Sequence, residues 1–165
     1  MALSLNGTSN GSLNNLSLSS NTGTIVDTAR AGGIIQVVSS TGSTVDTTTT
    51  SSSLSLHTQA ITPTSSSNKI LIIPSFVSER DSTSTNHYFW ADLYRDSTRI
   101  IDNFGHAVNW YSNSNEREHV ATSYLDSPAT TSSVTYKIDG DFNFGGGSRF
   151  LIYYPRLTLL EVVAW

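Results

Sequence analysis

Cysteine is absent from the 165 residues. That excludes disulfides, thiolate chemistry and cysteine-ligated zinc, so stability has to come from packing or assembly. Charge is scarce as well. Charged residues make up 13% of the chain, about half the usual share. The net charge of −4 leaves no basic stripe to neutralise phosphates, which argues against a nucleic-acid partner. A polybasic membrane patch is also missing. There is no stretch of about 20 apolar residues, so no helical membrane span is expected. Met1 to Leu18 has neither a basic n-region nor a continuous apolar h-region, and is not expected to be a signal peptide.

What remains is dominated by Ser and Thr, with Asn and Gly behind them. Lys and Glu, common on helix surfaces, are few. Thr, Val, Ile, Tyr and Phe favour strands, whereas Ser, Asn and Gly favour turns. No segment carries a sustained 3.6-residue period with caps, so the composition reads as all-β.

The chain divides near residue 32. Residues 1–32 form a polar arm punctuated by Leu3, Leu5, Leu13, Leu16, Leu18, Ile25 and Val26. Such a segment buries too little apolar area to offset its ordering entropy alone, so it is expected to need a surface to lie on. Gly32-Gly33 marks a hinge. Residues 33–165 then supply short strands between turns, which predicts a sandwich or barrel. Strands are expected at Ile34 to Val38, from Leu54 to Ile61, Lys69 to Val77, His87 to Tyr94, Thr98 to Ile101, Glu118 to Leu125 and Val134 to Ile138. Two closing strands are expected, Phe150 to Tyr154 and Leu157 to Trp165. Residues 39–52, Phe104 to Asn115 and Asp139 to Ser148 read as loops or turns.

Three of these strands are apolar on both faces: Ile70 to Ile73, Phe150 to Tyr154 and Leu157 to Val163. A two-layer sandwich needs apolar residues on one face only. The simplest cover for the other face is a further copy of the chain, with the arm folding back as the alternative. Ile70, Ile72, Phe150, Ile152, Tyr154, Leu157 and Leu159 are the expected oligomer interface.

Motifs that carry chemistry are weak. Asp139-Gly140-Asp141-Phe142-Asn143 starts like a calcium loop, but position six is Phe144 and no Glu occupies position twelve, so a plain turn is the better reading. His57, His87, His106 and His119 lie at no zincin spacing. No G-x-S-x-G nucleophile turn occurs, and Gly145-Gly146-Gly147 lacks a Walker lysine and a following helix. No metal, cofactor or catalytic residue is nominated. Trp110 and Tyr111, with Tyr88, are the aromatics that could stack on a sugar; packing against neighbouring strands is the plainer alternative. The Asn-x-Ser/Thr patterns beginning at Asn6, Asn10 and Asn15 are expected by chance in so Asn- and Ser-rich an arm.

Several stretches resemble phage virion surface proteins with a trimeric jelly-roll head, namely head decoration proteins and tail-fibre head domains. They are Met1 to Thr8, Ile61 to Ile72 with its Thr-Pro turn, Leu93 to Thr98, Tyr124 to Thr131, Val134 to Lys137 and Leu157 to Val162. The likeness runs in order over about residues 33–163. It implies a jelly-roll-like β-sandwich, usually a homotrimer, on the virion surface; the missing catalytic motifs separately lead to the expectation of no enzymatic activity. A long shaft before the head is typical of fibres, and only a short arm is present here. That favours a capsid decoration (cement) protein holding the major capsid protein through its arm. A short tail fibre, bound to tail proteins and touching host surface glycan, is the alternative.

Overall fold

The computed structural model describes residues 32–48, 51–81, 88–107, 116–143 and 149–164. The arm and its seven apolar anchors, as well as Trp110, Tyr111, His87 and Gly145 to Gly147, lie outside the described residues. Ten strands are formed among the described residues: β1 Ile34–Thr41, β2 Val45–Thr47, β3 Ser51–Ile61, β4 Lys69–Asp81, β5 Tyr88–Arg95, β6 Thr98–Ala107, β7 Glu116–Ala121, β8 Tyr124–Asp126, β9 Val134–Asn143 and β10 Arg149–Val162. There is no helix among the described residues.

The strands make two antiparallel sheets. In one the order is β1-β10-β4-β7, with β2 pairing β10 and β8 pairing β4; in the other it is β3-β9-β5-β6. Pairing is nested along the chain. β1 meets β10, β3 meets β9, β4 meets β7 and β8, and β5 meets β6. This is one long hairpin wrapped on itself, the jelly-roll plan, and it confirms the all-β sandwich expected from composition.

The core lies between the sheets. Alternation in β9 sends Val134, Tyr136, Ile138 and Phe142 inward, all buried. They meet Ile70, Ile72, Phe76, Ile152, Leu157 and Leu159 from the facing sheet. Phe89 packs on Phe142 with ring centroids 4.8 Å apart and on Phe150 at 5.9 Å. Gly140 is required here: a β-carbon added to it would lie 2.6 Å from the Phe142 ring.

Several expectations need correcting. The stretch 39–52 is not one loop, because β1 runs on to Thr41, β2 follows, and β3 starts at Ser51. Ser and Thr are strand-compatible when a neighbour such as β10 supplies the ladder. β6 continues through Phe104, which leans on the core with its ring 6.1 Å from Phe76, so the loop expected from that residue does not start there. Asp139 to Asn143 belongs to β9 rather than to a turn. The two closing strands are one strand, β10, interrupted by a bulge between Tyr153 and Arg156. The bulge accommodates Pro155, which could not sit in a regular central ladder.

Candidate functional site

The oligomer-interface expectation is the first to meet the geometry. Ile70, Ile72, Ile152, Leu157 and Leu159 have no exposed surface, and Phe150 has 1%. These six residues fill the core of their own chain and have nothing left to offer a partner. Tyr154 is different, with 66% of its surface exposed. Double-sided apolarity is nonetheless present, on the residues of opposite parity. Val37 stands opposite Leu160, Leu160 opposite Leu71, and Leu71 opposite Leu125. This aliphatic row crosses the outer face of the six-stranded sheet. Ile73 lies in the next row, opposite Thr158. Ile34, Ile35, Val37, Ile73, Leu125 and Tyr154 are the large hydrophobic side chains exposed among the described residues, and every one belongs to this sheet.

The outer face of the four-stranded sheet is polar. Thr58, Lys137 and Tyr94 stand in one row, and Ser55, Asp139 and Asp92 in the next. The Lys137 ammonium lies 4.7 Å from the centre of the Tyr94 ring and 2.6 Å from Asp139 Oδ2. The Ser53 hydroxyl donates to the same oxygen at 2.9 Å. Asp139 Oδ1 is buried and accepts no hydrogen bond from the described residues. Asp92 accepts from Arg99 at 3.2 Å and from the Asn103 amide at 2.9 Å. Among the described residues no group of His, Asp or Glu is placed to hold a metal ion.

Two buried carboxylates pin the sandwich. Glu161 accepts hydrogen bonds from the Thr64 amide at 2.7 Å, the Thr64 hydroxyl at 2.8 Å and Asn68 Nδ2 at 2.7 Å. The Gln36 amide, turned with its nitrogen toward this carboxylate, adds a fourth at 3.1 Å. Burial pushes the Glu161 carboxyl up, but the bonds from Asn68 and Thr64 outweigh it and hold it below the ordinary glutamate value. The clamp fixes the loop that carries the chain from β3 in one sheet to β4 in the other. Asp126, on β8, takes Arg95 Nη1 at 2.8 and 2.9 Å and the Tyr136 hydroxyl at 2.7 Å, joining the sheets again. Burial, then the bond to Asp126, drives the Tyr136 hydroxyl far above its ordinary value. Neither clamp is legible in the sequence, because its partners come from separate strands and loops.

The β10 bulge opens a cleft of about 340 Å3 on the outer face of the six-stranded sheet, lined in part by Val77, His119, Tyr153, Tyr154 and Arg156. Tyr154 has φ 48°, a left-handed conformation that is strained for an aromatic residue. Glu79 accepts from Arg117 at 2.5 Å and from the Tyr153 hydroxyl at 2.9 Å, and these bonds lower its carboxyl. The remaining described histidines are spread out. His57 bonds the Ser40 hydroxyl at 2.8 Å, and its partial burial depresses it; His106 lies on β6.

No protein-family model matches the sequence, and no curated protein matches it. Solved structures do align with the fold. T=1 particles derived from infectious bursal virus give a TM-score of 0.44 at 10% identity, covering 78% of this chain and 36% of that one. The VP2 subviral particle of infectious bursal disease virus gives 0.43 at 10% identity, covering 79% and 38%. The Gx strain of that virus gives 0.45 at 9% identity, covering 77% and 36%. The chain thus spans little more than a third of the length of these neighbours. Likeness at this level is one of general form only.

Proposed function

We propose that this chain is a structural, non-enzymatic virion protein, a bacteriophage capsid decoration protein that trimerises on the shell. Residues 1–32 serve as the anchoring arm and residues 33–165 as the jelly-roll body. The observation that carries the reading is the aliphatic outer face of the six-stranded sheet, with Leu71, Ile73 and Leu125 on a surface where a lone soluble sandwich would place polar groups. Such a face suits a protein whose working state is assembled. The ordered sequence resemblance to phage head decoration proteins and tail-fibre head domains supports a virion role, and the short arm favours decoration over fibre. In this role, binding only the assembled shell stabilises it by mass action, and linked arms raise the effective concentration of one another.

The test is deletion of residues 1–30, followed by measurement of incorporation into particles. A large loss of occupancy is expected while the body stays folded; unchanged occupancy defeats the arm-anchored reading. A second reading, a short tail fibre or receptor-binding protein, draws on the exposed Tyr154 beside the bulge cleft, an arrangement able to stack on a sugar ring. Host-cell binding by the purified protein, abolished by Tyr154→Ala, would favour it over the first.

A further inference from the structure

We infer that the free edge of β1 pairs antiparallel with β1 of a second copy, so that two six-stranded sheets join edge to edge about a two-fold axis. The inference rests on the self-associating reading above and deepens it by naming a contact surface. Unpaired strand edges are templates for further strands, and proteins normally guard them with charge, bulges, proline or shortness. Three edges of this sandwich are guarded. β7 carries Glu116, Arg117 and Glu118, and its companion β8 is three residues long. β3 has two register shifts against β9. β6 carries Arg99 and Asp102, and its ladder to β5 shifts twice.

β1 is less protected, its only guard being a bulge at its start, where Ile35 drops out of the ladder. Its sequence, IIQVVSST, contains no charge and no proline. Its one irregularity lies at Ile34–Gln36, leaving Val37 to Thr41 regular. Among the described residues it pairs only with β10. Val37 on this edge is 59% exposed. A second β1 fits the edge chemically. Antiparallel pairing about Val37 sets Val37 against its own copy and Gln36 against Val38, with no like charges opposed. It also makes the Val37–Leu160–Leu71–Leu125 row continuous across both copies. The Gly32 amide donates to the Val163 carbonyl and the Val163 amide to the Gly33 carbonyl, both at 2.9 Å, so the β10 ladder reaches Gly32, whose φ of 79° turns the chain there. Occupancy of the edge by the chain's own preceding residues is an outcome of the test below. This two-fold contact uses the edge and leaves the outer face to a trimer contact.

The absence of cysteine makes the test clean. In the full chain, Val37→Cys is expected to form a disulfide-linked pair on mild oxidation, because directly opposed strand residues lie roughly 4.5–5.5 Å apart at Cα, within disulfide reach. Lys137→Cys, on the other sheet, is expected to stay unlinked. Val37→Lys is expected to halve the sedimentation mass relative to the unsubstituted chain, with an unchanged circular dichroism spectrum. Equal cross-linking of the two cysteine variants, or an unchanged mass for Val37→Lys, overturns the inference. So does an unsubstituted chain that stays monomeric with its β1 amides protected from hydrogen exchange, which would put its own segment on the edge. Particle incorporation of Val37→Lys is read in parallel. A variant that loses the pair yet still enters particles leaves the virion reading standing, whereas an unsubstituted chain that pairs but never enters them defeats that reading alone.

Discussion

The outer surfaces of the two sheets are built on the same pleat with opposite chemistry. On the six-stranded sheet the outward rows hold Val37, Leu160, Leu71 and Leu125. On the four-stranded sheet they hold Lys137, Tyr94, Asp139 and Asp92; an ion pair and a cation–π contact tie the first three, and Asp92 accepts from the Asn103 amide. Water satisfies the second surface and is excluded to no purpose by the first. The contrast shows that a sandwich can be complete as a fold while one of its surfaces is unfinished as an exterior.

The most demanding way to break the contrast uses neighbours on one strand. Leu159 is fully buried, and Leu160 faces outward and is half-buried. Leu159→Ala is expected to cost about 2–5 kcal/mol of stability through lost burial and a residual cavity. Leu160→Ala, measured by denaturant titration on dilute protein, is expected to cost less than about 1 kcal/mol because part of that side chain is already in water. Equal losses would mean that the outer face is covered even at low concentration. A smaller effect is expected from the four-stranded sheet. Gly140→Ala should cost about 1–3 kcal/mol, since the added methyl must displace the buried Phe142 ring.

The contrast also shows how far the sequence could be read. The clean alternation of Val134, Tyr136 and Ile138 identified a strand, and the succession of short strands between turns identified a sandwich or barrel. Apolarity on both sides of Ile70 to Ile73 was legible too. Its parity was not: a period of two says that one set faces the core, and only the partner strands say which set. The interface was therefore expected on Ile70 and Ile72, whereas Leu71 and Ile73 are the residues that reach the surface. Pro155 misled in a different way. Proline usually ends a strand, and only the pairing of β10 with β4 reveals that a bulge carries the strand past it. Nothing local marks Glu161 as buried, because its partners, Thr64 and Asn68, lie almost a hundred residues away.

The gentlest prediction concerns that carboxylate. Its folded pKa lies below the unfolded value, so its contribution is fully present above about pH 4.3 and is lost as pH falls through the folded value. Thermal melts from neutral pH downward should therefore hold steady and then drop in the acid range. Glu161→Gln should lie lower at neutral pH and show a shallower acid decline. A parallel decline in both proteins would assign acid sensitivity to other carboxylates, with Glu79 and Asp46, both also depressed by arginine partners, as the first to substitute.

The nesting of first strand with last has a kinetic consequence. β10 is the spine of its sheet, bonded to β1, β2 and β4, yet it comes last of the ten strands. Contacts between residues more than a hundred positions apart demand a large loop closure before they repay it, so a fold of this kind forms slowly. A ribosome has to deliver residue 162 before the sheet can close. Until then β1 and β4 have no common neighbour, and their apolar residues depend on timing, or on a chaperone, to stay out of trouble.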